Sequence, residues 1–267
     1  MPSTMSPVRR ALHFAVGRSS GVWNLLRSPR LRLRAFGSPI DTMLYALTIS
    51  RPRVFFVQVG SNDAVAGDPL RPFLWNRHWR GVMVEPVGYV FKRLSAHYGA
   101  DERFTLVNAA IGEADGPRAF YHFPEGMEGL PVWYDQLGSF SLETVKAAAA
   151  TLPGLEERIQ TTMVSCMTFE TLAAKHAVGS LDVIHVDTEG YDYQILKLVD
   201  LRRHHPTLLI YEHKILSPAD RDAAQALVRD SGYVLMEVGG DTLALATEAL
   251  SDPVLSSAWD LIGGPRS

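Results

Sequence analysis

Between Leu181 and Tyr191 the chain reads Leu-Asp-Val-Ile-His-Val-Asp-Thr-Glu-Gly-Tyr, an apolar run that breaks off in two carboxylates, Asp187 and Glu189, and a glycine. A second apolar run, Leu208 to Tyr211, breaks off in Glu212 and His213. Acids and an imidazole brought to one place can take the proton of a hydroxyl, or can share a divalent ion such as Mg2+. Asp187, Glu189, Glu212 and His213 are therefore the candidate catalytic groups, and Asp187, Glu212 and His213 the candidate metal ligands. His185 shares a strand face with Asp187 and reads as a hydrogen-bonded core histidine. Taken alone, Asp187 reads equally well as the cap of a following helix.

Three further stretches suit a nucleotide. Val57-Gln58-Val59-Gly60-Ser61-Asn62-Asp63 places a glycine where a strand gives way to a loop, which lets a ligand approach the backbone. The pattern G-x-G-x-x-G is not met, and Gly67-Asp68-Pro69 delays the helix, so a pyrophosphate on a helix N-terminus is disfavoured. Glu85 closes the next apolar run, just before Pro86, where an acid in nucleotide-binding α/β proteins accepts hydrogen bonds from ribose hydroxyls. Asn108, Ala109 and Ala110 end the third run, and their small side chains leave room for a purine ring.

These residues all sit at the ends of apolar runs, so a sheet must carry them. The runs are Val54 to Val59, Gly81 to Glu85, Phe104 to Ile111, Leu181 to Asp187, Thr207 to Glu212, Tyr233 to Val238 and Thr242 to Ala246. Amphipathic segments alternate with them at Leu70 to Arg77, Tyr89 to Tyr98, Thr168 to His176, Tyr191 to Val199 and Pro218 to Asp230. This is the pattern of a mostly parallel sheet wrapped by helices. Only Gly239, Gly240 and Asp241 join the last two runs, too few for a crossover, so an antiparallel hairpin is expected at the sheet edge. Residues 112–160 interrupt the alternation: Arg118 to Phe123 is expected to pair with the preceding strand, Glu143 to Ala150 to be helical, and the whole to form a lid or recognition insertion.

The 267 residues thus divide into a basic helical arm (1–52), a body (53–250) containing that insertion, and a C-terminal tail (251–267). The arm includes a short helix expected at Val8 to Val16, and Ile40 to Ile49 has helical spacing. Residues 1–53 hold nine arginines against Asp41 alone, while the whole chain has a formal net charge of −3. So acidic a body is a poor platform for nucleic acid, whereas the arm suits an anionic membrane surface, self-association or, read as a presequence, mitochondrial targeting. A single cysteine, Cys166, excludes an internal disulfide and suits packing in a strand. With no long apolar span and no secretory signal pattern, a cytoplasmic, at most membrane-peripheral, location is expected.

The blocks Val57 to Asp63 with Asp68-Pro69-Leu70, Gly81 to Pro86, Val107 to Ile111, Ile184 to Asp192 with Ile195-Leu196, Tyr211-Glu212-His213, and Gly232-Tyr233 followed by Asp241 to Ala244 together resemble the FkbM family of methyltransferases. The resemblance runs from about Val54 to Ala246. It implies a class I methyltransferase fold, Rossmann-like, with seven strands, and S-adenosyl-L-methionine as cofactor. By it, Gly60, Ser61 and Asn62 line the methionine and ribose portion, Glu85 holds the ribose, Ala109 and Ala110 flank adenine, and Asp187 and Glu189 face the methyl and its acceptor. Gln58 departs from the acid common in that place. The implied reaction is O-methylation of a sugar, glycolipid or secondary metabolite. A nicotinamide-dependent oxidoreductase would use Gly60 and Glu85 equally well, and a noncatalytic protein retaining the nucleotide pocket is the reading from another class.

Overall fold

The computed structural model describes residues 37–131 and 133–266; the helix expected at Val8 to Val16 and most of the basic arm lie outside them. The strands are β1 (Val54–Val59), β2 (Trp79–Val84), β3 (Phe104–Val107), β4 (Ala110–Ile111), β5 (Gly116–His122), β6 (Gln160–Met167), β7 (Val183–Val186), β8 (Leu208–Glu212), β9 (Tyr233–Val238) and β10 (Asp241–Ala246). Seven of them form one sheet in the order β3-β2-β1-β7-β8-β10-β9. The first five in that order run parallel. β10 runs antiparallel to both β8 and β9, so the expected hairpin forms and its reversed strand lies second from the edge.

Central strands of such a sheet are covered on both faces, which is why Phe56, Val57, Ile184, Leu209 and Ile210 are all buried without alternation. Gln58 and His185 are the polar exceptions. They stand side by side in the β1–β7 register, with Gln58 Nε2 3.1 Å from His185 Nδ1. Burial pushes the His185 pKa down to about 4, so this core imidazole is neutral.

The helices are α1 (Pro39–Ser50), α2 (Arg71–Leu74), α3 (Gly88–Tyr98), α4 (Leu142–Ala149), α5 (Phe169–Lys175), α6 (Asp192–Leu198), α7 (Leu201–His204), α8 (Pro218–Asp230) and α9 (Pro253–Leu261). The Ser38 side chain accepts the Asp41 N–H and so starts α1, whose Met43, Leu44 and Leu47 enter the core. α9 packs against α1 and buries Leu255 and Trp259, and the Ser50 hydroxyl donates to Asp252 across the junction. The end of the segment assigned to the arm and the middle of the one assigned to the tail therefore both supply core helices.

The third apolar run does not form one strand. Ala109 N–H donates to the Val107 carbonyl at 3.1 Å, a tight turn that takes the chain out of the large sheet after β3. β4 then pairs with β6 in a second sheet of order β4-β6-β5. The expected pairing of Arg118 to Phe123 with the strand before it is thereby corrected: β5 pairs antiparallel with β6, along Gly116 to His122 against Gln160 to Cys166. Cys166 is buried there, next to Ala110 in register.

Candidate active site

β1 and β7 end together, and Asp187 N–H donates to the Val59 carbonyl at 2.9 Å. The chain then turns at Gly60, whose φ of +79° belongs to the left-handed region that glycine enters without strain. Gly60 and Ser61 both donate their N–H groups to the Val84 carbonyl at 3.0 Å, which fastens this turn to the end of β2. Ser61 is buried, its hydroxyl donating to the Gln58 carbonyl and accepting the Val84 N–H.

Glu85 follows β2 and is 4 % exposed. Its Oε2 accepts the Asn62 N–H at 3.1 Å and its Oε1 the Val87 N–H at 2.7 Å, so each oxygen keeps a lone pair for a ligand donor. Burial raises its pKa to about 7, against the lowering effect of those two N–H groups and of Arg93. Asn108 donates its amide to the Glu85 and Pro86 carbonyls at 2.8 and 3.1 Å and braces the turn after β2.

At the end of β7 the loop carries Asp187, Thr188 and Glu189, with Glu189 (φ 51°) and Gly190 (φ 88°) both left-handed. Asp192, at the first turn of α6, is fully buried and ties this loop to β8. Its Oδ2 accepts from the Thr188 hydroxyl at 3.1 Å, and its Oδ1 from the Glu212 N–H at 3.3 Å. Glu189, Asp192, Glu212 and Asp241 all lie close enough to Asp187 to act on its charge, and Lys214 acts on Glu189, Glu212 and Asp241. Burial raises the pKa of Asp187 well above the carboxylate range, reinforced by Glu189, Asp192 and Glu212. Burial also raises Glu189 to about 7, with Glu212 adding to the effect, and Glu212 to about 7, with Asp241 adding to it; Lys214 opposes both shifts.

One cleft joins these parts. Gly60, Asn62, Glu85, Pro86, Ala109, Ala110, Asp187 and Glu189, all singled out in the sequence, line it. The insertion lines it too, through Phe120, Asp135, Gln136 and Phe140. Above it Phe140 meets Phe120 and Tyr191 edge-on at 5.1 and 5.2 Å, and the Arg118 guanidinium lies over the Phe140 ring at 4.1 Å. The insertion reaches back to α3, where Tyr89 donates its hydroxyl to the Phe123 carbonyl at 2.8 Å and Arg93 donates to Asp135 at 2.6 Å. Sequence reasoning missed Asp135, Tyr191 and Asp192; the last two stood next to the recognised acids, while Asp135 carries no local signal.

The cleft does not include Ser61, Asn108, Glu212 or His213. Ser61 and Asn108 are spent on the hydrogen bonds that shape the turns. His213 follows Glu212 directly, and successive residues at a strand end point to opposite faces. Its Nδ1 lies 3.0 Å from the Thr242 hydroxyl, and burial, with Arg221 nearby, lowers its pKa. The expectation that His213 joins Asp187 as base or metal ligand is thus corrected. Among the described residues no group of three or more His, Cys, Asp and Glu side chains is arranged to hold a metal ion, so Asp187, Glu212 and His213 do not form the expected Mg2+ site. No described helix is long and apolar enough to cross a membrane.

A parallel sheet with one reversed strand, a glycine turn and a buried strand-end glutamate facing one cleft define the architecture of a class I methyltransferase. The chain belongs to the FkbM family: a model of the methyltransferase FkbM domain matches residues 58–235, more than half of it. No curated protein matches the chain. Among solved structures it is similar to a methyltransferase FkbM from Methylobacillus flagellatus KT, with 13% identity and a TM-score of 0.45 over 72% of this chain. The match covers 43% of that protein, less than half its length. It is similar also to a precorrin-6y C5,15-methyltransferase from Geobacter metallireducens GS-15 (12% identity, TM-score 0.39, 77% of this chain and 85% of that one). A Methanococcus jannaschii fibrillarin pre-rRNA processing protein follows at 9% identity and a TM-score of 0.39, over 78% of this chain and 76% of that one.

Proposed function

We propose that the chain transfers a methyl group from S-adenosyl-L-methionine to a hydroxyl of a sugar, glycolipid or secondary metabolite. The observation that carries this reading is one cleft with a ribose-type acceptor, Glu85, at one end and two carboxylates of raised pKa, Asp187 and Glu189, at the other. The residues suit the cofactor. Glu85 keeps lone pairs for two ribose hydroxyls, Val87 and Ala109 offer apolar walls for a purine, and Gly60 borders the same cleft, where the methionine portion would lie.

When bound, the cofactor supplies a methyl already activated on a sulfonium. What remains for the protein is to align the acceptor oxygen, exclude water and take a proton. Phe140 and Tyr191, whose rings meet at 5.2 Å, line the cleft beside the acid loop and would shield a bound acceptor from water. Asp187 and Glu189 are coupled, so near neutral pH one keeps a proton while the ionised partner accepts that of the acceptor hydroxyl. With His213 turned away, the base is assigned to this pair.

The test is a thermal-shift titration of the wild-type chain with S-adenosylmethionine, S-adenosylhomocysteine and NAD. Stabilisation by the sulfur nucleosides alone is expected. Stabilisation by NAD alone, or by none of them, overturns the reading. The acidic acceptor end favours neutral polyols over phosphorylated or carboxylated acceptors. For the basic arm we propose contact with anionic membrane or self-association, which vesicle flotation and light scattering with and without residues 1–36 separate.

A further inference from the structure

The insertion, expected to act as a lid or recognition element, sets its turn Tyr134–Gln136 on the same cleft as Glu85 and Ala109, with Asp135 near enough to Glu85 to act on its charge. Asp135 in that turn is 6 % exposed. α3 holds it from one face: Tyr89 and Arg93, four residues apart, bind respectively the backbone and the side chain of the insertion. Arg93 donates to Oδ2 only. The other oxygen, Oδ1, is buried without a hydrogen-bond partner, and so is Arg93 Nε, so the pair meets through a single contact and leaves half the carboxylate unanswered.

A buried carboxylate oxygen next to a cavity calls for a donor from whatever fills that cavity. On the reading that the filler is S-adenosylmethionine, its donors are the ribose hydroxyls, the α-ammonium and the exocyclic amine of adenine. The ribose hydroxyls have Glu85, and the ammonium belongs to the methionine end beside Gly60. Only the adenine amine remains. We propose that Asp135, oriented by Arg93, is a specificity residue for the cofactor, its Oδ1 accepting a hydrogen bond from the 6-amino group of adenine. The insertion then reads the base of the nucleoside as well as covering the acceptor.

This rests on the S-adenosylmethionine reading, and calorimetry distinguishes the two. The probes are S-adenosylhomocysteine and its 6-deamino analogue, which lacks the amine and is otherwise the same. Wild-type protein is expected to bind the deamino analogue at least tenfold more weakly. In the double variant Arg93→Met/Asp135→Leu, which removes both charges together so that neither is left buried alone, the ratio is expected to fall below threefold. Equal binding of the two nucleosides by wild type overturns the assignment of Asp135 while leaving the cofactor reading intact, and this arm needs no variant to fold. A double variant that folds and still discriminates tenfold overturns it as well. If neither nucleoside binds wild type, the cofactor reading fails and the Asp135 assignment with it.

Discussion

A Cβ built on Gly60 would lie 1.7 Å from the carbonyl oxygen of Asp187, so the turn after β1 and the acid loop touch through bare backbone. No side chain fits there, and the left-handed φ adds strain for any residue but glycine. Gly60→Ala is expected to destabilise the protein by roughly 2 kcal/mol or more and to weaken S-adenosylhomocysteine binding at least tenfold, read by thermal denaturation and calorimetry.

The acid pair should separate binding from turnover. Asp187→Asn and Glu189→Gln are each expected to lower kcat by about tenfold to a thousandfold while S-adenosylhomocysteine affinity stays within about threefold. Wild-type turnover in both variants would remove the base from this loop.

The same pair sets a pH profile. A base must be ionised to accept a proton, and Glu189 ionises at about 7. Turnover is therefore expected to rise with pH through about 7 and then level off, and Glu189→Gln should flatten the ascending limb. A profile flat from pH 5.5 to 8.5, values that bracket neutrality by about 1.5 units, would contradict this.

Stability should run the other way. Glu85 titrates at 4.5 when unfolded and at about 7 when buried, so the folded chain keeps a proton that the unfolded chain has already released. Its contribution is fully present below the unfolded pKa and is lost as pH rises through the folded one, and Asp187, Asp192, Glu189 and Glu212 shift in the same direction. The unliganded protein is expected to lose Tm between pH 5 and pH 7.5, about the window these pKa values span, and Glu85→Gln to lessen the loss. Donors from ribose would favour the ionised carboxylate, so S-adenosylhomocysteine should shrink the effect.

His213 gives the opposite kind of variant. With its Nδ1 at the Thr242 hydroxyl and its ring outside the cleft, His213→Ala is expected to cost roughly 1–3 kcal/mol of stability and to leave kcat within about threefold. A fall beyond tenfold in a fully folded variant would return the imidazole to the reaction.

The large sheet was legible because its strands are buried on both faces and so appear as unbroken aliphatic runs, as in Val183 to Val186, with each polar break marking a rim. The second sheet was not. β6 exposes Gln160 to Met163 and buries little before Val164, so it shows no apolar run, and β4 has only two residues. β5 finds its partner some 40 residues away, beyond any local turn signal. Within the site, acids were legible by position, but Glu212 and His213 could not both face one cleft, because strand alternation sends neighbours to opposite sides. Asp135 became visible only through its burial beside Arg93.

One reversal in the sheet has a further effect. Every parallel strand offers the active rim only its last residues, whereas β10 runs the other way and offers its first. The turn Gly239–Gly240 thus stands at the rim, its Gly240 carbonyl accepting the N–H groups of His213 and Lys214, and Asp241 joins the acids from there. A strand running with the others would have started at the far side, a sheet's width from the chemistry. Changes in this short turn are therefore expected to retune the charge around Asp187 and Glu212 without altering β1 or β2.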